Sequence, residues 1–482
     1  MPRHLLLLLL SLPGVVQAAT VDTHWYAVLL DGRKIGQFES TREVRDTRVI
    51  TRQSMLIEIE RAGTRMALGS NETSEETLDG KPLAFDNSSR MSDSETRVVG
   101  LVDGRRATVR YNNAGAWSER TIDWPRGALL PEGLRLAMLD MPLEAGATLR
   151  ASSFQPASFD AIEVTTTVGA RESVSLPGGR QRLTRIDQSF AFPGAALRST
   201  AWVDETREVR KLSMAVLGVE MTMVECDKTC ATAPNQTSDV FSRTLVHSPR
   251  ALARRDLDGA VRYTFVPRDR GAALHLADTG EQRVTAQGKG IAVEVRRQAS
   301  AGVGAPPEAV DYAANDWLQS GAPEVAALAR RALAEVGETP DEDARMRGLE
   351  RFVRGFITSK TLGVGYASAL EIARKPEGDC TEHAVLLAAL GRSLGIATRV
   401  VDGLAYAPEF AGQRQVFVPH AWVQAWTDGA WRSYDAALAG FDAGHVAFSA
   451  GDGDPWRFYQ SLELLGRLEL KRVEPLQDAR AQ

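Results

Sequence analysis

The chain is 482 residues long, with 57 basic and 62 acidic side chains, a formal charge of -5, 44% hydrophobic residues and 25% charged ones. This composition belongs to a folded protein with enough chain for two or three cores, and it excludes a disordered tail, a fibre or a small disulfide scaffold. The near balance of charge argues against nucleic acid as the main ligand, and the 3 cysteines include no run at zinc-finger spacing.

Residues 1–19, MPRHLLLLLLSLPGVVQAA, join Arg3 to an apolar run from Leu5 to Leu10 with Leu12, then to small residues with Val16 and Ala18 at the spacing a signal peptidase reads. A cleaved signal peptide is predicted, with the mature chain starting near Ala19 or Thr20. Pro13 and Gly14 interrupt the run well short of the roughly 20 residues that span a bilayer, and no cysteine follows for acyl anchoring. The expectation is a periplasmic or secreted protein with no stable membrane insertion once the signal is removed.

From Trp25 to about Val224 short alternating runs are broken by turn signals such as Asp31-Gly32 and Gly178-Gly179. Only Pro131 to Leu139 reads as a helix in this stretch. The pattern predicts an antiparallel β-rich scaffold over residues 20–230, a sandwich or a partial barrel, with no catalytic constellation of its own. The segment CDKTC favours a small disulfide loop between Cys226 and Cys230 over a redox pair, which needs two intervening residues. Cys380 is then the remaining thiol.

Residues 231–307 read as a connector with short strands (VRYTFV, AALHLA, IAVEVR), closed by a Gly/Pro-rich stretch at 301–307. Beyond it the apolar period changes. Val325, Leu328, Ala329, Ala332, Leu333 and Val336 form one helical stripe; Met346, Leu349, Phe352, Val353, Phe356 and Ile357 form another, which Thr339-Pro340-Asp341-Glu342 introduces as a capping box with proline at the first helical position.

The informative segment is GDCTEHAVLLAALGRSLG, residues 378–395. Gly378 and Asp379 are turn and cap residues, the apolar stretch from Ala384 to Leu394 is helical, and Gly395 ends it, so Cys380 falls in the first turn of a buried helix. Unused amide donors and the positive end of the helix dipole stabilise a thiolate there, drawing a thiol pKa from about 8.5 towards neutrality. A nucleophilic thiol needs a base, and the base an orienting acceptor. Both are in VFVPHAWVQAWTDGAWRSYDA: His420 to Thr427 alternates as a strand, Asp428-Gly429 makes a two-residue hairpin loop, and Ala430 to Asp435 returns. That loop sets Asp435 opposite Trp422 and makes His420 its diagonal neighbour on the same face, within reach of an imidazole-carboxylate hydrogen bond. Cys380, His420 and Asp435 are thereby ordered as nucleophile, base and orienter.

GDCTEHA followed by a helix, then GIATRVVDGLAY, then HAW with a following WRSYD, resembles the transglutaminase-like superfamily, over about residues 345–440. Weaker likeness extends to YASALEIARK before and LGRLEL after. The resemblance implies an α+β, papain-like core over residues 308–482, with a helical layer carrying the cysteine on an antiparallel sheet carrying the histidine and aspartate. It implies a catalytic triad of Cys380, His420 and Asp435, acyl transfer through a Cys thioester, and a protein or peptide substrate. The attacked group is an amide, either a glutamine side chain or a peptide bond, and the acceptor an amine or water, so cysteine protease activity belongs to the same range. Exported bacterial members with a β-rich N-terminal region are similar in layout. No cofactor or metal is expected.

Four alternatives stand beside this reading. Cys380, His383, His420 and Asp435 make a possible zinc set, against which His383 reads as structural. His445 rivals His420 as base but lies outside the alternating strand. Tyr366 is a candidate second oxyanion donor. The whole domain is otherwise a non-catalytic protein-binding module that retains the fold, with the β region doing the work.

Overall fold

The computed structural model describes residues 20–61, 63–91, 94–113, 116–192, 195–216, 219–236, 245–268, 274–298, 304–337, 341–360, 366–454, 464–465 and 467–476. The expected signal peptide lies outside the described residues, as do Thr339 and Pro340 of the expected capping box.

Alternating runs joined by tight turns can only extend a sheet strand by strand, and the N-terminal half does this fifteen times. The chain enters mid-sheet with the strand Thr20–Leu30 and walks outward to one edge at Ala116–Asp123. Residues 124–127 carry it to the other edge at the two-residue strand Ala128–Leu129; the helix Pro131–Asp140 follows, and the chain walks back until the last strand, Val219–Cys226, pairs with the first. Asp31 and Gly32 at the first turn both take positive φ, 51° and 76°, as a two-residue hairpin of right-handed twist demands. The halves then curl together: Phe85 and Val109 from the outward walk share a core with Ala128, Leu130 and Phe154 from the return, and the rings of Phe85 and Phe154 lie 5.1 Å apart. Of the two architectures expected, this is the rolled single sheet and not the two-sheet sandwich. The helix is pinned to it by Glu132, which pairs with Arg42 at 2.7 Å, and by Glu76, which accepts from the amides of Glu132 and Gly133 at 2.7 and 2.8 Å. Cys226 and Cys230 form a disulfide at the end of the last strand.

Strand pairing crosses the boundary expected near residue 307. The strand Ala260–Pro267, with Val261, Tyr263 and Phe265 fully buried, pairs on one side with Gly290–Arg296 and on the other with Leu468–Leu476 at the far end of the chain. The two-residue strand Val246–His247 pairs with Phe417 and Val416 of the central C-terminal sheet. An apolar strand buried along its length needs a partner at each edge, and here one partner comes from within the supposed connector and the other from beyond it. A single core accordingly mixes Val261, Tyr263, Phe265, Val293 and Val295 with Leu404, Phe417, Val446 and Leu470.

The period change beyond residue 307 yields the helices Pro323–Val336, Glu342–Phe356, Ala369–Arg374 and Cys380–Ser393. The second begins one residue after Asp341, whose carboxylate accepts from the amides of Asp343 and Ala344; Asp341 is thus its cap, about two residues later than the sequence suggested. The fourth is buried from Thr381 to Arg392 and is the axis of the core: Val385, Leu386 and Leu390 meet Val325, Met346 and Leu349 of the other helices and Val400 and Val423 of the sheet. Gly391 permits this close approach, since a Cβ there would stand 2.7 Å from Thr398 Cγ2.

Candidate active site

Three elements carry the candidate residues: the cysteine helix Cys380–Ser393, the histidine strand Gln413–Thr427, and the return strand Ala430–Tyr434 with the loop that follows it. Gly378 opens the cysteine helix at φ +145°, where a Cβ would stand 2.4 Å from Glu382 Cγ, so both the conformation and the space require glycine. The turn presents Asp379 as cap. Its carboxylate accepts from Thr381 N at 3.0 Å, and Glu382 reaches back to accept from Asp379 N at 2.8 Å, closing a capping box around Cys380. Glu382 accepts further from Ala367 N and Thr381 Oγ1, at 3.1 and 3.0 Å. Burial, reinforced by the charge of Asp379, pushes its carboxyl up to about 8. Cys380 is the first residue of the helix, half-buried, and packs against the core that includes Ala421 and Val423 of the histidine strand.

The hairpin has the register that its turn dictates. Asp428 and Gly429 take φ 50° and 75°, and the pairs run from Thr427 with Ala430 to Val423 with Tyr434. Asp435, the next residue, turns its carboxylate across to the diagonal neighbour: Oδ2 lies 2.8 Å from His420 Nε2, with both side chains buried. The backbone of Asp435 is fixed from the helix Glu342–Phe356, where Glu350 Oε1 accepts its N–H at 2.9 Å and Arg354 donates to its carbonyl at 2.8 Å. Oδ1 accepts from the amides of Ala437 and Leu438 at 2.8 and 3.1 Å. Burial alone would favour the neutral acid; His420 and His445 outweigh it and hold the carboxyl well below the usual carboxylate range.

His445 is the residue that sequence reasoning underrated. It opens the edge strand His445–Gly451, which pairs with Thr398–Phe410, and its Nε2 lies 3.0 Å from the same Oδ2 of Asp435 that meets His420. Its Nδ1 faces Asp442 Oδ1 at 3.1 Å. Burial works against charge on this ring, but the two carboxylates outweigh it and push its pKa up to about 9. The apolar run Val446, Ala447 and Phe448 was the available signal for a strand; what it cannot give is which strand it pairs with.

Support for the hairpin comes from Glu281, which lies in the segment expected to be a connector. It accepts from Ser433 N at 2.6 Å, Ser433 Oγ at 3.1 Å and Gln424 Nε2 at 3.2 Å, and burial pushes it up to about 7. Ser433 in turn accepts from Trp422 Nε1 at 3.3 Å, and the Trp422 ring stacks over His420 with centroids 6.2 Å apart. No local pattern marks Glu281 in the sequence.

The other candidates separate. His383 points Nδ1 at Asp379 O, 2.5 Å away, and burial holds its pKa below the ordinary histidine value. Nδ1 is therefore the protonated nitrogen, and Nε2 is buried with no hydrogen-bond partner among the described residues. Tyr366 donates its hydroxyl to Gly453 O at 2.8 Å, which commits the proton it was expected to offer an oxyanion.

Among the described residues, two groups bring three ligating atoms within 4.8 Å of one another: His420 with Asp435 and His445, and Asp22 with His24 and Glu208. The zinc set weighed from the sequence is neither of them. In the first group the Nε2–Oδ2 separations of 2.8 and 3.0 Å are hydrogen-bond lengths, shorter than the spacing of about 3.3 Å that tetrahedral ligands at zinc-like bond lengths keep from each other. The group is a hydrogen-bond network. In the second, His24 Nδ1 faces Glu225 at 2.8 Å and Nε2 faces Asp22 at 3.2 Å. Burial opposes the cation, the carboxylates outweigh it and the pKa is raised, so His24 is an ionic clasp between the strands Thr20–Leu30 and Val219–Cys226.

Residues 330–436 match the family model of the transglutaminase-like superfamily, a span that contains all three candidate residues and ends one residue after Asp435. No curated protein matches the chain. Among solved structures, a β-barrel-like protein of a domain of unknown function from Brucella abortus is 13% identical, over 44% of this chain and 98% of its own, with a TM-score of 0.32. A candidate cysteine protease from Cytophaga hutchinsonii is 15% identical, over 45% of this chain and 85% of its own, with a TM-score of 0.26. A candidate protease from Parabacteroides distasonis is 10% identical, over 82% and 70%, with a TM-score of 0.20. These likenesses are loose, and the chemistry rests on the geometry of the site.

Proposed function

Starting from a transglutaminase-like match over residues 330–436, we propose that this chain is an exported cysteine enzyme that attacks an amide through a thioester on Cys380. The observation that carries the reading is the buried 2.8 Å contact of His420 Nε2 with Asp435, on a sheet that shares one core with the helix starting at Cys380. With Nε2 committed to the aspartate, Nδ1 is the nitrogen left to serve the thiol, the division of labour that an acyl-transfer base requires.

In this mechanism His420 Nδ1 takes the thiol proton and the thiolate adds to the amide carbonyl. The tetrahedral oxyanion takes the Cys380 amide at the helix N-terminus as a donor. The imidazolium returns its proton to the departing nitrogen, the C–N bond breaks, and a thioester remains. An amine or water then gives its proton to His420 and attacks the thioester; the Cys380 sulfur leaves and recovers a proton from the ring. Asp435 holds the ring and stabilises its charged form.

The substrate class we propose is a protein or peptide, through a glutamine side chain or a backbone amide, in a papain-like arrangement of helix and sheet. Export is supported by the pattern of residues 1–19 and suits the Cys226–Cys230 disulfide. Incubating the protein with a glutamine-containing protein and a labelled amine separates the outcomes: label incorporation marks transfer, ammonia without label marks deamidation, and shortened chains mark proteolysis. All three signals should vanish in Cys380→Ala while its circular dichroism is unchanged. Activity surviving in that variant removes the thioester.

A further inference from the structure

His445 has no part in the mechanism above, yet it is buried against the residue that orients the base. One oxygen, Asp435 Oδ2, receives two imidazole nitrogens, His420 Nε2 at 2.8 Å and His445 Nε2 at 3.0 Å. For both contacts to be hydrogen bonds, both nitrogens must carry protons, because a carboxylate only accepts. On the far side of His445, Nδ1 lies 3.1 Å from Asp442 Oδ1 and 3.1 Å from Asp442 O, with the Asp442 N–H 3.3 Å from the same nitrogen. The carboxylates at its two nitrogens outweigh burial and push the ring's pKa up to about 9, which favours its charged form, and its centroid stands 5.6 Å from that of His420.

We propose that His445 is a positioning residue of the acyl-transfer site, a second histidine that anchors Asp435 from the side away from His420 and takes up part of its charge. The proposal rests on the thiol-imidazole reading of Cys380 and His420. Its physical content concerns the two tasks of His420. The ring must accept a proton from the thiol and then give it to a leaving amine, so neither its neutral nor its charged form can be held too firmly. A buried carboxylate devoted to His420 alone would overstabilise the imidazolium and make the second task slow. A cation at His445 counters this twice, by sharing Oδ2 and by repelling the charged ring of His420 across 5.6 Å.

The other ionisable groups around the pair leave this role open. Asp442 holds the far side of His445 and lies 3.9 Å from Arg254. Tyr263 donates its hydroxyl to Ala443 O at 2.6 Å, and the Tyr406 hydroxyl accepts from Leu252 N at 3.1 Å. On the Asp435 side, Arg354 and Glu350 pair with each other at 3.6 Å and hydrogen-bond the Asp435 backbone, Lys360 donates to Ala437 O at 3.3 Å, and His383 meets Asp379 O, with burial holding its pKa below the ordinary histidine value. Trp422 and Phe441 close the remaining faces of His445, with centroids 5.2 and 4.9 Å away. No other cation reaches Asp435 Oδ2 among the described contacts.

The test is the pH dependence of Cys380 carboxymethylation by iodoacetate in the full chain, in the wild type and in His445→Gln, with Cys380→Ala as background. Glutamine keeps an N–H donor and removes the charge. Iodoacetate is drawn to the imidazolium, so a thiolate-imidazolium pair gives a bell whose alkaline limb reports loss of the His420 proton. The expected result is a wild-type bell and, in His445→Gln, an alkaline limb moved upward by about one pH unit, the low end of what a neighbouring charge imposes. A limb that stays in place or moves down, with the bell intact, overturns the role of His445 and leaves the thiol chemistry standing. A wild type with no bell, alkylated only as an ordinary thiol, overturns both. Should His445→Gln fail to fold, nitrogen NMR of the histidine rings in Cys380→Ala reads the same claim: both nitrogens of His445 protonated near neutral pH is expected, and a singly protonated ring overturns it.

Discussion

Gly378 holds the cysteine in its place by what it lacks. Its φ of +145° is one that side-chain-bearing residues rarely adopt, and the space beside it is filled by Glu382, the carboxyl that closes the capping box. Gly378→Ala should therefore cost about 1–3 kcal/mol from backbone strain alone and displace Glu382, lowering the denaturant midpoint and slowing Cys380 alkylation together. A variant with wild-type values of both would show that this turn does not set the thiol's position. At this scale two placements were legible from local signals: the cap puts Cys380 at the start of its helix, and the two-residue turn sets the His420–Asp435 diagonal. His445 was not legible, because its reach to Asp435 depends on the edge strand pairing with Thr398–Phe410, a contact between distant stretches that no local pattern encodes. Tyr366 misled because a tyrosine near a site says nothing of where its hydroxyl is spent.

At the scale of elements, the first and last strands of the large sheet are joined by paired backbone and by the His24 clasp to Glu225 and Asp22. A histidine whose pKa is raised in the folded state binds its proton more tightly there than in the unfolded chain. Its contribution is complete below the ordinary value of 6.5 and is lost as pH rises through the folded value. Thermal unfolding of the wild type should lose ground relative to His24→Gln as pH is raised from below 6.5 into the alkaline range, and the two should differ most at low pH. Parallel pH curves for the two proteins would remove the clasp. Element types were legible from period, which changes from two to between three and four near residue 307, as the helices beyond it bear out. Element starts were less so: the helix Glu342–Phe356 takes Asp341 as cap, because the first acceptor able to meet the amides of Asp343 and Ala344 decides the start.

For the whole molecule, the pairing of Ala260–Pro267 with Leu468–Leu476 means that the C-terminal half is closed by strands from before residue 307. Glu281, supporting the hairpin from that same segment, ties it to the site. A fragment starting at residue 308 should lack a cooperative thermal transition, whereas one starting at residue 245 should have one; equal transitions in both would refute this dependence. Composition located this boundary by its glycines and prolines, but a flexible stretch marks where the chain can bend and does not mark where one core ends. The rolling of fifteen strands into one sheet was likewise beyond local reading, since alternation specifies that a strand has an inner face and not what the face meets. Everything functional converges on whether Cys380 carries the acyl group. Intact-protein mass spectrometry after rapid mixing with a glutamine-containing peptide, followed by mapping of the modified site, asks this directly. The account predicts a peptide-acyl adduct on Cys380 that hydroxylamine releases and that Cys380→Ala never forms. Turnover of the peptide with no adduct at any time, and undiminished in Cys380→Ala, would contradict it.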